Sequence, residues 1–224
     1  MTRRRKLRHT IITTMGTIEK RTITGTVALR MKDGEEWPEY VEGVAAVTEQ
    51  RTDIGWFEEE IARGAFDEAL KVSDIRVLGN HDPNQMLGRT SAKTAEVWVD
   101  GNGNLAYRFT PDLGNPTHVS WVRSIQRGDI SQSSFAFTIA RQGSEWIDSE
   151  KYGREGTRRI LRIGQLYDVS PVTYPAYEGT AVGTRDANIE AEREAIRADR
   201  QAAADKQASA KQQILDTFKK TIQK

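Results

Sequence analysis

The sequence predicts an α+β fold whose body is mostly strand, built as packed layers or as a partly closed barrel. Three observations predict it. From about Arg21 to Ala181 the chain falls into short runs rich in β-branched and aromatic residues, punctuated by Gly, Asn, Asp and Pro. Helical periodicity interrupts those runs at two places, and many strands with a few inserted helices suit an α+β fold or a barrel. After about Thr184 the chain turns to Ala, Glu, Lys, Gln and Arg, with no Gly or Pro, which favours helix.

The expected strands, in order, are RTITGTVALR (21–30), EYVEGVAAVT (39–48), DIRVLG (74–79), AEVWVD (95–100), NLAYRFT (104–110), SSFAFTIA (133–140), TRRILRIG (157–164) and QLYDVSPVTY (165–174). VDGNGNLAY reads as a hairpin, because its central Gly and Asn supply the positive φ of a tight turn. EEIARGAFDEALK (59–71) reads as a helix through Ile61, Ala65, Phe66 and Leu70, weakened or broken at Gly64. NPTHVSWVRSIQRG (115–128) is the better helix: Asn115 caps, Pro116 suits the first turn, Val119, Val122 and Ile125 form a stripe, and Gly128 stops it. The tail has a thin, broken apolar stripe, with Ile189 and Ile196 near its start and Ile214, Leu215, Phe218 and Ile222 near its end. It is expected to protrude or to dock a partner rather than to join the core. The organisation expected is a flexible basic segment (1–20), one domain (21–183) and a charged helical tail (184–224).

Composition excludes several chemistries. With no cysteine there is no disulfide, no cysteine nucleophile and no thiolate metal site, and three histidines are too few for a His-rich metal cluster. No metal or other cofactor is therefore expected. The net charge of +1 gives the whole molecule no strong preference for nucleic acid. The basic start MTRRRKLRH is not followed by an apolar run, so a secretory signal is not expected, and no apolar run is long enough to span a membrane. GxSxG, GxxxxGK[ST] and HExxH are all missing, which argues against an α/β-hydrolase, a P-loop NTPase and a zincin.

Two segments remain that could carry chemistry. RGDISQSSFAF (127–137), read as a strand, points Ser131, Ser133, Phe135 and Phe137 to one face and Ser134 and Ala136 to the other. The phenylalanines anchor the strand while Ser134 is presented among small neighbours. A serine hydroxyl needs a base, usually a histidine oriented by a carboxylate. LGNHDPNQMLGR (78–89) offers His81 in a polar turn, and Asp82, Asp129 or Asp168 could orient it. Asp82 is disfavoured because adjacent side chains in an extended segment diverge. His118, beside a helical apolar stripe, reads as structural or surface, and His9 lies in the basic start. Ser170 and Thr173 read as packing residues, with hydrogen bonds to the site as the alternative, and Tyr174 and Tyr177 read as packing round a turn.

Four segments together resemble the prohead proteases of tailed bacteriophages: FEEEIARGAFDEAL (57–70), LGNHDPNQMLGRT (78–90), RGDISQSSFAF (127–137) and LYDVSPVTYPAYEGT (166–180). Their order and spacing match that family over roughly residues 21–182. The resemblance implies a fold similar to the herpesvirus capsid-maturation proteases, a small, mostly antiparallel β-barrel with surrounding helices. It implies a serine peptidase, with His81 as base, Ser134 as nucleophile and Asp168 as the orienting acid. Many relatives carry Glu at that last position. Arg89 is the side chain named for oxyanion support, beside backbone N–H groups, with an ion pair as its alternative role. The substrates implied are scaffold and major capsid protein segments, and the enzyme itself, inside the assembling prohead in the host cytoplasm. Herpesvirus proteases of this fold dimerise, so self-association is an expectation. A catalytically idle assembly factor, binding capsid protein through the helical tail, is the competing reading, and a general esterase is a third.

Overall fold

The computed structural model describes residues 18–54, 57–147, 156–174 and 187–222. A single eight-stranded sheet dominates it, in the order β6-β5-β12-β9-β1-β2-β8-β7. Its strands are β1 (Glu19–Met31), β2 (Pro38–Ala46), β5 (Arg76–Gly79), β6 (Asp82–Arg89), β7 (Ala95–Val99), β8 (Leu105–Phe109), β9 (Gln132–Ile139) and β12 (Ile163–Val172). Neighbours are antiparallel except β12 and β5, which run parallel. The sheet curls until its edges nearly meet. Gly88 of β6 lies so close to β7 and β8 that a Cβ there would fall 3.0 Å from Ala95 and 3.1 Å from Phe109. The fold is thus mostly β, with a nearly closed barrel, as the sequence predicts.

A smaller sheet, β10-β11-β4-β3, packs beside the barrel. It contains β3 (Arg51–Asp53), β4 (Glu58–Ile61), β10 (Ser144–Ile147) and β11 (Thr157–Ile160). The core of the barrel is apolar and filled by Phe66, Phe109, Phe135, Phe137, Val122, Leu87 and Val169. Phe135 and Phe137 stack at 4.8 Å, and Phe66 meets Phe135 edge-on at 5.8 Å. They anchor β9 from one face, as the alternation in SSFAF requires.

Helix α2 (Pro116–Gln126) forms as its sequence dictates. The Asn115 side chain accepts the Thr117 N–H, satisfying one of the free donors of the first turn. Gly128 follows the helix at φ +81°, a conformation that favours glycine. The β7–β8 hairpin also forms. Asp100 Oδ1 accepts the N–H groups of Asn102 and Asn104, and Gly103 takes φ +91°.

The helix expected over 59–71 is only half present. Glu58–Ile61 is strand β4, paired in parallel with β11, and the helix α1 is confined to Asp67–Val72. Gly64 at φ +83° separates the two. Sheet pairing, which buries both Glu59 and Ile61, outweighs the helical spacing. TRRILRIG is likewise two strands, because the chain leaves the small sheet after Ile160 and enters the barrel at Ile163.

Helix α3 (Ala187–Ile222) docks by its start. Ile189 is buried against Phe57 and Trp146, with Ile196 beside them, and residues 197–214 are exposed. Glu192 hydrogen-bonds Arg158 of β11 and Ser144 of β10. Among the described residues, no helix is long and apolar enough to cross a membrane. The basic start through residue 17, Tyr177 and the segment 175–186 lie outside the described residues.

Candidate active site

Strands β9 and β12 are antiparallel neighbours, with Ser134 opposite Ser170 and Ala136 opposite Asp168. Residues two apart share a face, so Asp168, Ser170, Ser134 and Ala136 all look the same way. The other face of β9 is occupied differently. There Ser133 Oγ accepts from the Tyr107 hydroxyl at 2.8 Å and donates to the Thr26 carbonyl at 3.1 Å. Burial pushes the Tyr107 phenol well above its ordinary range, so that hydroxyl stays protonated.

His81 arrives from the hairpin between β5 and β6. Gly79 and Asp82 are register partners, and the two residues between them, Asn80 and His81, sit at φ +53° and +58°. Both central residues in the left-handed region is the tight turn that suits hairpin twist, and Asn accepts that conformation more readily than most residues. Because β5 runs parallel to β12, the turn at its end delivers His81 over the β12 face that carries Asp168. The turn is clipped to the end of β12 by three hydrogen bonds. Asn80 N–H donates to the Pro171 carbonyl at 3.0 Å, Asn80 Nδ2 donates to Thr173 Oγ1 at 3.0 Å, and Thr173 N–H donates to Asn80 Oδ1 at 2.8 Å. Asp82 holds the other side by accepting the backbone and side-chain N–H groups of Asn84.

The result is a hydrogen-bonded line. Asp168 Oδ1 lies 2.6 Å from His81 Nδ1, and His81 Nε2 lies 2.7 Å from Ser134 Oγ. Only 1% of Ser134 and 6% of Asp168 are exposed, so the line runs where water competes weakly for hydrogen bonds. It opens onto a cavity of about 300 Å³ lined by Lys20, Asn80, His81, Ser134, Val172, Thr173 and Tyr174. A hydroxyl, an imidazole and a carboxylate in this order can pass a proton from oxygen to ring nitrogen while the ring is held in one orientation.

The other sequence candidates lie elsewhere. Asp129 is exposed and pairs with Arg127 at 3.2 Å. His118 is structural: its Nδ1 accepts the Asp112 N–H at 2.9 Å and its Nε2–H donates to the Met86 carbonyl at 2.9 Å. Arg89, named for oxyanion support, sits at the far end of the β5–β6 hairpin from His81, opposite Arg76. There it hydrogen-bonds Asp74, and these bonds hold the Asp74 carboxyl far below the usual range. The ion-pair role occupies its guanidinium, and the geometry gives no support to the oxyanion role. Tyr174, expected to pack round a turn, is 81% exposed at the rim of the cavity.

Sequence reasoning missed the acceptor that β1 supplies. Ser134 Oγ also lies 2.8 Å from the Arg21 carbonyl. Register between β1 and β9 shifts at this point, with Arg21 opposite Phe135 but Gly25 opposite Ser133. The extra residues in β1 form a bulge facing Ser134, and a bulge is invisible to strand alternation.

The model of the family described as caudovirus prohead serine protease matches residues 26–194. No curated protein matches. Among solved structures, the bacteriophage T4 capsid assembly protease aligns at 15% identity with a TM-score of 0.47, over 72% of this chain and 99% of that one.

Proposed function

The chain belongs to the caudovirus prohead serine proteases, and from that premise we propose that it cleaves scaffold and capsid-protein segments, and itself, by a Ser134–His81–Asp168 mechanism. Membership makes it a serine peptidase of phage capsid maturation, acting within the assembling capsid. The observation that carries the mechanism is the line of hydrogen bonds of 2.6 and 2.7 Å joining three side chains from three different strands or turns.

In this reading Ser134 Oγ attacks the scissile carbonyl as His81 Nε2 takes its proton. Asp168 holds Nδ1–H and stabilises the cationic ring. His81 then returns the proton to the leaving amine, the acyl-enzyme forms, and water repeats the sequence to release it. The oxyanion falls to backbone N–H groups beside Ser134, each donor worth about 3–4 kcal/mol of barrier. The substrates are scaffold and major capsid protein, met in the prohead in the host cytoplasm, and the exposed part of α3 serves as an incorporation segment that the enzyme removes.

The test follows intact masses of the chain with its scaffold and capsid proteins, as wild type and as Ser134→Ala. Discrete cleavage lost in the variant is the expected result. Cleavage that persists in Ser134→Ala moves the nucleophile elsewhere and overturns the site.

A further inference from the structure

We propose that Ser170 is a positioning residue that locks the Asp168 carboxylate, and through it the His81 ring, in the reactive arrangement. The proposal rests on the Ser134–His81–Asp168 reading. Ser170 is fully buried and sits directly across from Ser134 in the β9–β12 ladder. Its hydroxyl donates to Asp168 Oδ1 at 2.7 Å, the same oxygen that faces His81 Nδ1 at 2.6 Å. It also lies 3.3 Å from that ring nitrogen. A hydroxyl has one proton to give. With Nδ1–H directed at Asp168, the Ser170 proton also goes to the carboxylate, and one oxygen receives two donors.

Two donors on one oxygen do what one cannot. The ring alone fixes a distance, while the carboxylate stays free to turn about its own bond. Ser170, two residues along the same strand and on the same face, removes that rotation. The imidazole then keeps the tautomer that leaves Nε2 free to accept from Ser134. The Ser170 hydroxyl is engaged with Asp168 and lies beside the His81 ring, so its effect on Ser134 passes through those two side chains.

The test uses the full chain and a fluorophosphonate probe. Ser134 Oγ bonds to phosphorus, fluoride leaves, and His81 takes the serine proton, so labelling reads the site without a known substrate. Ser170→Ala is expected to lower the maximal labelling rate about tenfold, the loss of one hydrogen bond to a charged group, with the probe's half-saturating concentration unchanged. The His81 ring N–H resonance, followed with isotope-labelled histidine, should broaden or shift. Ser170→Cys, close in size but a weak donor, should fall between, and it carries the test if the alanine variant does not fold. Unchanged labelling rate and unchanged resonance in either variant overturn the proposal. So does a loss confined to half-saturation. Wild-type chain that fails to label, or Ser134→Ala that labels equally, would instead overturn the underlying site.

Discussion

The Ser134 hydroxyl lies between two acceptors, His81 Nε2 at 2.7 Å and the Arg21 carbonyl at 2.8 Å. One hydroxyl proton serves one of them at a time. The position of β1 therefore bears directly on whether the proton is directed at the imidazole. What holds β1 there is a buried ion cluster. Arg21 pairs with Glu59 of β4 and with Glu19, and Arg158 of β11 pairs with Glu19, Glu59 and Glu192. The site is thus tied to the small sheet and to the start of α3 through charges as well as through the apolar contacts of Ile61, Ile160 and Ile189.

Asp168→Asn should keep the fold and lose the chemistry. The amide preserves size, but its NH₂ can face His81 and favour the wrong tautomer. The maximal rate should fall about 10⁴-fold with little change in half-saturation. Probe labelling beside a thermal melt checks both halves. A variant labelling at near wild-type rate would remove Asp168 from the mechanism.

Glu59→Ala should be a costly charge deletion. The Glu59 side chain is wholly buried and touches two guanidinium groups, which the deletion leaves uncompensated. Breaking such a pair typically costs about 3–5 kcal/mol. Glu42→Ala, which breaks a largely exposed pair with Arg30, should cost far less, because solvent screens that pair. Urea midpoints of the two variants give the comparison.

The same cluster sets an acid limit to stability. Burial raises the Glu19 carboxyl, but the Arg158 hydrogen bond and the charges of Arg21 and Arg158 outweigh it, holding Glu19 below its ordinary 4.5. A depressed folded value means stability that is fully present above 4.5 and is lost as pH falls through the lower, folded value. Glu19→Gln should therefore lie below wild type near neutrality and converge with it in acid. Denaturation midpoints measured across that window would show parallel curves if the carboxylate were not engaged.

Gly79→Ala should damage the site from behind. A Cβ there would stand 2.2 Å from the Trp121 ring, which is mostly buried and held by a 2.7 Å hydrogen bond to Gln85. The turn that follows Gly79 carries His81, so a shift of Gly79 away from the Trp121 ring moves His81 with it. Overpacking of this kind costs about 1–3 kcal/mol, and labelling of Ser134 should slow by more than the melt alone explains.

How far the sequence reached can be judged at particular residues. Ser134 was legible because Phe135 and Phe137 flank Ala136, and alternation then fixes the serine's face. The α2 cap and the β7–β8 hairpin were legible because Asn115, Asp100 and Gly103 act on their own neighbours. His81 and Asp168 lie 87 residues apart, and periodicity left Asp82, Asp129 and Asp168 open. Only the motif resemblance selected Asp168. DPNQMLGR lacks alternation and so reads as a turn, and EEEIA has helical spacing and so reads as helix, yet they form β6 and β4. Strand β4 forms through a partner distant in sequence, Thr157–Ile160, whereas β6 pairs with Arg76–Gly79 across a two-residue turn whose flanking strand the local pattern does not reveal. The His81 contact with Asp168 and the β1 bulge likewise depend on how distant segments pair, which a lone strand does not encode.

Truncations of α3 should divide it into a structural and a dispensable part. Residues 197–214 are exposed, so a chain ending at Arg197 should melt with the full protein and label at the same rate. A chain ending at Arg185 loses Ile189, whose burial is worth about 1.5–3 kcal/mol. It also uncovers Phe57 and Trp146, over which Arg193 stacks at 5.2 Å from the indole. Arg158 loses Glu192 in the same cut, leaving two acids where the cluster had three. Because Arg158 shares Glu19 and Glu59 with Arg21, the deeper truncation should lower labelling of Ser134 as well as stability. Equal labelling by both truncations, at a temperature where both are folded, would show that the ion cluster holds the fold without reaching the serine.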